Sequence, residues 1–465
     1  MMMLSEAAGY MNGELLSDEE ARVTCVGSDS RHITQGELFF ALKGDNFDGH
    51  QYAEQAIKQG ATAVVIANKD CKVRPAILVE DTKKALGRLA SAWRSTFALP
   101  LVAVTGSNGK TTVKEMLSAI LKAANKNVLA TQGNLNNDIG MPMTLLNLRA
   151  EHTAAVIEMG MNHLREIDYL TRIAQPTVAV INNAGTAHIG EVGSREGIAQ
   201  AKGEIFAGLG DDGIAVINAD DVFADYWKSL NQDKQGNNRK ILTFGMDAKA
   251  DVTARFVELD GASQITLTTP TDSIGFKLDM LGKHNISNAL AASACAVALD
   301  ISINDIAAGL SNMQAVKGRL QRKNGINGAA LIDDTYNANP DSMKAAIDVL
   351  AAQHSTLQTS TIFVMGDMAE LGADAAQMHS DIGAYAKQKR IQNLFTFGEN
   401  SLLANQAFGN RAQHFASIES LVAGLKSIMQ VNTTVLVKGS RYMQMERVVN
   451  LIEEKLMTKK MTEEA

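Results

Sequence analysis

The sequence predicts an α/β protein of three domains: a small α/β unit, a central and mostly parallel sheet with helices on both faces, and a third α/β unit. Two observations carry this. Along the 465 residues, short apolar runs of strand length alternate with helical segments, the order that a parallel sheet needs. Punctuation near residue 84 and at Lys317-Gly318-Arg319 then divides the chain into 1–84, 85–315 and 316–465. At roughly 100–200 residues per domain, the length fits that division.

In the first unit, residues 37–42 (ELFFAL) read as a strand and 52–59 as a helix closed by Gly60; 63–66 and 76–79 read as buried strands. Residues 81–94 have helical periodicity, with Asp81 placed as N-cap. Pro100 introduces a very apolar strand at 101–104, which sets the first boundary near residue 84. In the central unit, the apolar runs 101–104, 154–157, 178–181 and 213–217 are separated by helical stretches such as 112–123 and 195–206. Residues 252–259, 263–268 and 274–280 read as an antiparallel patch, and 286–299 as an Ala-rich helix. In the third unit, 330–332, 362–365, 394–397 and 435–437 again alternate with helices.

Composition narrows the class. Apolar residues are 46% and charged residues 20%, as in globular proteins. The net charge of -7 argues against a nucleic-acid partner, which favours a basic face. Cys25, Cys71 and Cys295 are odd in number and form no CxxC pair, so neither a disulfide framework nor a zinc site is expected. The first ten residues lack a signal-peptide pattern, and no apolar stretch approaches the ~20 residues of a membrane span. A cytoplasmic protein is the expectation.

Residues 101–112 read LVAVTGSNGKTT, a strand entering a glycine-rich turn and then a helix. Backbone N–H groups and a helix N-terminus can face an anion there. Lys110 can reach outer phosphates, and the Thr111 hydroxyl can ligate Mg²⁺. The full P-loop pattern has a glycine where this chain has Val104, so the match is GxxGKTT. Glu158 falls at the C-terminal edge of strand 154–157, where open α/β sheets bind ligands; a solvent-facing strand-end carboxylate is the plain alternative. His188 follows strand 178–181, and Lys202 sits on a helix near Glu204, where a solvated charge is the ordinary expectation. A GTPase would need a guanine-reading motif, and Asn68-Lys69-Asp70 lacks the spacing and precedes the turn.

Taken together, TGSNGKTTVKEM (105–116), GNLNNDIGMPMTLL (133–146), EMGMNH (158–163), NNAGTAHIGEVGS (182–194), AKGEIF (201–206), GKHNISNALAA (282–292), GRL (318–320), DDTYNANPDSM (333–343), GDMAELG (366–372) and KGSR (438–441) resemble the Mur ligase family. SDSR (28–31) and ALKGDNFDGH (41–50) extend the likeness to the first domain. The resemblance implies a UDP-muramoyl-peptide-binding N-terminal domain, a P-loop-type central domain that binds ATP, and a Rossmann-like C-terminal domain that closes on ATP and binds the incoming amine. It further implies, for the segments 133–146, 333–343 and 366–372, that UDP-N-acetylmuramoyl-tripeptide and D-alanyl-D-alanine are joined through an acyl phosphate during peptidoglycan precursor synthesis. A DNPR-type motif, typical of the family member that adds the third amino acid, is absent.

The family's roles carry over residue by residue. Lys110, Glu158, His188, Lys202 and Arg319 are the implied catalytic set. Thr105, Gly106, Ser107, Asn108, Gly109, Lys110, Thr111 and Thr112, with Asn285, Asn288, Arg319, Asp334, Tyr336, Asn337 and Asn339, would contact ATP. Thr111, Glu158, His188 and Lys202, the last as a CO₂-derived carbamate, would hold Mg²⁺. Ser30, Arg31, Lys43, Asn134, Asn136, Asn137, Lys438, Ser440 and Arg441 are the implied substrate contacts. A monomer is expected. A P-loop ATPase switch, another ligase of this family and a non-catalytic muropeptide-binding protein stay open as alternatives at this point.

Overall fold

The computed structural model describes residues 1–454 apart from 18–19, 45–46, 187–188, 233–238, 260, 314 and 358. His188 therefore lies outside the described residues, as do Asp45 and Asn46 of the 41–50 segment.

The strand-length apolar runs form the interior of three sheets. At the N-terminus, Glu14–Leu16, Ala76–Leu78, Ala63–Ile66, Glu37–Phe40 and Cys25–Gly27 lie side by side in that order; only the first pair is antiparallel. The two outer strands of this sheet were not anticipated. They are three residues each and half exposed, so no apolar run marks them. The helix Leu4–Met11 was also missed, although its spacing buries Leu4, Ala7, Ala8 and Met11 on one face.

The central sheet has six parallel strands, in the order Lys240–Phe244, Ile214–Asn218, Val178–Ile181, Leu101–Thr105, Ala154–Glu158, Val128–Ala130. The strand Leu101–Thr105 thus sits mid-sheet, flanked by Ala154–Glu158 and Val178–Ile181, and the C-terminal ends of all three meet at one edge. Ligands collect at that edge in sheets of this kind. Thr253–Leu259, Ala262–Thr268 and Ser273–Leu278 form the expected antiparallel patch. The Ala-rich helix runs Lys283–Ala298, three residues earlier than its periodicity suggests, because Gly282 at φ 87 turns the chain into it. Asp81 caps helix Thr82–Ser95 as predicted, accepting from the N–H groups of Lys83 at 2.8 Å and Lys84 at 3.0 Å. Residue 84 lies in the first turn of that helix.

The third sheet is ordered Gln321–Asn324, Ala330–Asp334, Thr433–Lys438, Ser360–Gly366, Asn393–Phe397, Ala412–Phe415, parallel except for its first pair. Its edge strands, QRKN and AQHF, carry polar side chains and escaped the sequence reading. Among the described residues, no helix is long and apolar enough to cross a membrane.

Candidate active site

The glycine-rich turn after Leu101–Thr105 delivers the chain into helix Lys110–Ala123 through Gly109, whose φ is 81. The first turn of a helix leaves its N–H groups without intrahelical acceptors, so this end suits an anion. Two clefts open on either side of the turn. One, of about 400 Å³, is lined by Ser107–Thr111 in the turn, by Asn134, Asn136, Asn137 and Glu158, and by Arg319, Tyr336, Asn337, Asn339, Glu370, Lys438 and Arg441. The other, of about 350 Å³, is lined by Thr112, His284, Asn285, Asn288, Asp334 and Asp341. Asn108, Gly109, Arg319 and Lys438 border both.

At the centre of the larger cleft, the Thr111 hydroxyl donates to Glu158 Oε2 at 3.0 Å, and Asn136 Nδ2 donates to Glu158 Oε1 at 2.7 Å. Glu158 is 2% exposed, so the solvent-facing alternative is wrong. The backbone sets its position: Glu158 N–H donates to Thr131 Oγ1 at 2.9 Å, and Thr131 O in turn accepts from the buried Lys114 ammonium at 2.6 Å. Lys114 went unremarked in the sequence. Its signal is a lysine one turn beyond Lys110 on the apolar side of the same helix.

Lys110 folds back onto the turn and donates to Gly106 O at 2.7 Å. Burial lowers its pKa, opposed by the charge of Glu158. Arg319 reaches in from the third domain: a terminal nitrogen donates to Thr111 Oγ1 at 3.2 Å, and the guanidinium lies 4.2 Å from the centre of the Tyr336 ring. Asn339 Nδ2 donates to Asn108 Oδ1 at 2.7 Å, and Asp341 accepts from Thr186 N–H at 2.7 Å. Residues more than a hundred positions apart thereby close over the turn.

Behind the turn runs a chain of asparagines. Asn182 Nδ2 donates to Asn108 O at 2.9 Å and to Asn288 Oδ1 at 2.8 Å; Asn288 Nδ2 donates to Asn285 Oδ1 at 3.1 Å. Asn288 and Asn285 therefore brace the turn while lining the second cleft. Asn182 and its neighbour Asn183, whose Oδ1 accepts from Asn108 N–H at 2.9 Å, stood in the quoted motif without a role. Gly109 is packed against this chain so closely that a Cβ there would overlap both Asn288 Oδ1 and Asn182 Nδ2. With positive φ adding about 1–2 kcal/mol for any other residue, Gly109→Ala is expected to weaken nucleotide binding by at least about 10-fold, measured by isothermal titration. Unchanged affinity would refute the bracing role.

The remaining expected residues divide. Thr105 and Gly106 lie beneath the turn and line neither cleft; the Thr105 hydroxyl is used by Met159 O at 2.9 Å. Asn137 lines the larger cleft, and its Oδ1 also accepts from Gly140 N–H at 2.8 Å, where helix Gly140–Leu145 begins. Lys438 is buried in an ion pair with Asp334 at 2.6 Å and donates to Asn337 O at 2.9 Å. Burial lowers its pKa and Asp334 opposes that. Arg441 lines the cleft and pairs with Glu446 at 2.8 Å, whereas Ser440 is buried behind it and donates its N–H to Asp367 O at 2.9 Å. Ser30, Arg31 and Lys43 are on the first domain and line neither cleft; Arg31 pairs with Asp29 at 2.8 Å in solvent.

Lys202 corrects an expectation. It is 1% exposed near the end of helix Arg195–Gly203, not solvated. Trp227 Nε1–H donates to Ala199 O at 3.0 Å and holds that helix in the core. Burial drives the Lys202 amine well below the ordinary lysine range, and the Lys110 charge adds to this. Burial favours the neutral amine.

The chain is similar to known proteins along nearly its whole length. The sequence matches the Mur ligase family catalytic domain over residues 22–94, the Mur ligase middle domain over 104–296, and the Mur ligase glutamate ligase domain over 318–441. It is 42% identical over 455 residues to the UDP-N-acetylmuramoyl-tripeptide--D-alanyl-D-alanine ligase of Escherichia coli, covering 97% of this chain and 98% of that one. Identity to the enzyme of that name from Haemophilus influenzae is 40% over 462 residues, with 97% and 98% covered. A crystal structure of MurF from Acinetobacter baumannii superposes with a TM-score of 0.88 at 36% identity, covering 96% of this chain and 97% of that one. MurF ligase from Thermotoga maritima in complex with ADP gives 0.80 at 28% identity, with 92% and 96% covered.

Proposed function

This chain belongs to the Mur ligase family, and we infer that it is the ATP-dependent ligase that joins D-alanyl-D-alanine to UDP-N-acetylmuramoyl-tripeptide. The observation that carries the reading is the meeting of Lys110, Thr111 and Glu158 from the central domain with Arg319 from the third in one cleft. The near full-length likeness to ligases of that name supports the choice of substrates.

Two steps follow. The tripeptide carboxylate attacks the γ-phosphorus of ATP, giving an acyl phosphate and ADP. The dipeptide amine then attacks the acyl carbon; the C–N bond forms, the C–O bond to phosphate breaks, and the amine gives up a proton to water. In the first step two anions approach each other, and Lys110, Arg319 and the helix N-terminus offset that repulsion. Arg319 and Asn339 also cover the turn, which keeps water from the acyl phosphate.

The donor set suits Mg²⁺. The Thr111 hydroxyl and Glu158 carboxylate are hard oxygen donors side by side. Among the described residues, no cluster of three or more His, Cys, Asp or Glu forms a closed cage, consistent with an ion that shares its coordination with phosphates. Bound there, Mg²⁺ would neutralise developing phosphate charge. Lys202, as a carbamate formed with CO₂, would supply a further oxygen ligand, and His188 is proposed to assist.

Residues 1–84 are assigned to the UDP-muramoyl peptide, 85–315 to ATP, and 316–465 to closure and the dipeptide, in a cytoplasmic monomer. Under this assignment Ser30, Arg31 and Lys43 face the UDP-substrate, Asn134, Asn136 and Asn137 its peptide, and Arg441 the dipeptide.

The test is phosphate release with ATP, Mg²⁺ and UDP-muramoyl tripeptide, with and without D-alanyl-D-alanine, together with the product mass. Dipeptide-dependent release with the amide product is expected. Release indifferent to both substrates would instead mean an ATPase switch.

A further inference from the structure

We propose that Asp341 is a positioning residue for nucleotide binding: from the third domain it holds the loop at 184–186, and through that loop it aims the Ser107 hydroxyl at the phosphates. The inference rests on the ligase reading above and adds to it a residue that the sequence reading left without a role.

Asp341 lies in the first turn of helix Pro340–Leu357. An acidic residue there ordinarily caps the helix or complements its dipole. This helix is capped without it: Asn339 Oδ1 accepts from Ser342 N–H at 2.9 Å, and Ser342 Oγ accepts from Asn339 N–H at 3.0 Å. The Asp341 carboxylate crosses to the central domain instead. Its Oδ2 accepts from Thr186 N–H at 2.7 Å and from Thr186 Oγ1 at 2.9 Å. The approach is close. A Cβ on Gly185 would overlap that same oxygen, so the glycine is what lets the two domains meet here.

The loop that Asp341 grips forms the outer wall of the phosphate turn. Gly185 N–H donates to Ser107 Oγ at 2.9 Å, and Ser107 N–H donates to Asn183 O at 3.0 Å. Ala184 is held from its own domain: its N–H donates to Asp221 Oδ2 at 2.9 Å, and its carbonyl accepts from Arg195 at 3.1 Å. Thr186 is held from the third domain. Gly185 sits between these two anchors, and together they set the direction of its N–H. A serine hydroxyl has one hydrogen and two lone pairs. Gly185 N–H fills one lone pair and so turns the hydrogen away from the loop. Ser107 is 6% exposed and lines the larger cleft, and among the described residues its hydroxyl donates to no protein group. The hydrogen is left for an oxygen in the cleft that Lys110 also lines, at the helix N-terminus where phosphates are favoured. A donor to the nucleotide is thereby set from a different domain.

The test measures affinity for the non-hydrolysable ATP analogue AMP-PNP with Mg²⁺, by isothermal titration on the full chain. The variants are Asp341→Ala, Asp341→Asn, Ser107→Ala, and Asp341→Ala combined with Ser107→Ala. Asp341→Ala and Ser107→Ala should each weaken binding by about 10-fold, the scale of one hydrogen bond to a charged group. Because one acts through the other, the double variant should also lose about 10-fold, not about 100-fold. Asparagine keeps an oxygen for both Thr186 donors and gives up only the charge, so Asp341→Asn should stay within about threefold of wild type. A role confined to the helix dipole would make asparagine and alanine alike, lowering both melting temperatures and leaving affinity alone. Losses that add in the double variant, equal losses in asparagine and alanine, or unchanged affinity in Asp341→Ala overturn the proposal. The titration needs no acceptor, so it stands apart from the ligase reading, which fails if wild-type enzyme releases no phosphate in response to D-alanyl-D-alanine.

Discussion

Glu158→Gln is expected to lower kcat by about 10²–10³-fold, the scale seen when one electrostatic contact to a transferring group is removed. The carboxylate is buried and accepts from Thr111 Oγ1 at 3.0 Å and Asn136 Nδ2 at 2.7 Å. A glutamine has the same shape but turns one acceptor into a donor. The Thr111 hydroxyl can rotate to accept that donor; Asn136 Nδ2 needs the oxygen that remains. The local cost is therefore about 1–2 kcal/mol, too small to unfold the domain. The charge is what the variant loses. If Glu158 draws Mg²⁺ to the Thr111 hydroxyl, the Mg²⁺ concentration for half-maximal rate should rise well above wild type. Binding of ATP without Mg²⁺ should hold or tighten, since an anion facing the phosphates has gone. Near wild-type kcat with an unchanged Mg²⁺ titration would show that Glu158 is only a strand-end brace for Asn136.

The buried strands were legible because four or five consecutive apolar residues, as in Leu101–Thr105 and Ala154–Glu158, can hardly be anything else between turn signals. Edge strands were not, since Gln321–Asn324 and Ala412–Phe415 need only one paired side and no apolar face. The turn at 105–112 was legible because its chemistry is local. Arg319 could be linked to it only through family resemblance, because its partner Thr111 is 208 residues away and spacing carries no information over such a distance. Lys202 could have been read better. It lies one turn after Ile198, which is fully buried, and residues four apart share a helix face. Charge was allowed to outweigh periodicity, and periodicity was right.

Replacing Lys202 should abolish ligation, with a fall of about 10²-fold or more. The choice of substitute matters. The residue is 1% exposed, so alanine leaves a void and a loss of activity could be blamed on packing. Methionine fills most of the volume without an amine and removes the cost of burying one, so Lys202→Met should melt no lower than wild type. A carbamate forms when a neutral amine attacks CO₂ and releases a proton. The burial that lowers this pKa, reinforced by Lys110, makes the neutral form available at lower pH than an ordinary lysine would allow. As pH falls through that depressed value the amine protonates and the carbamate is lost, so the acid limb of the rate profile should steepen in CO₂-depleted buffer and recover with added bicarbonate. Enzyme equilibrated with ¹³C-bicarbonate should show a carbamate carbon resonance that is missing from the methionine variant. If the variant keeps its rate, or if the resonance survives the substitution, the ligand role fails. Lys202 would then be a buried amine held near Lys110 with no part in the reaction.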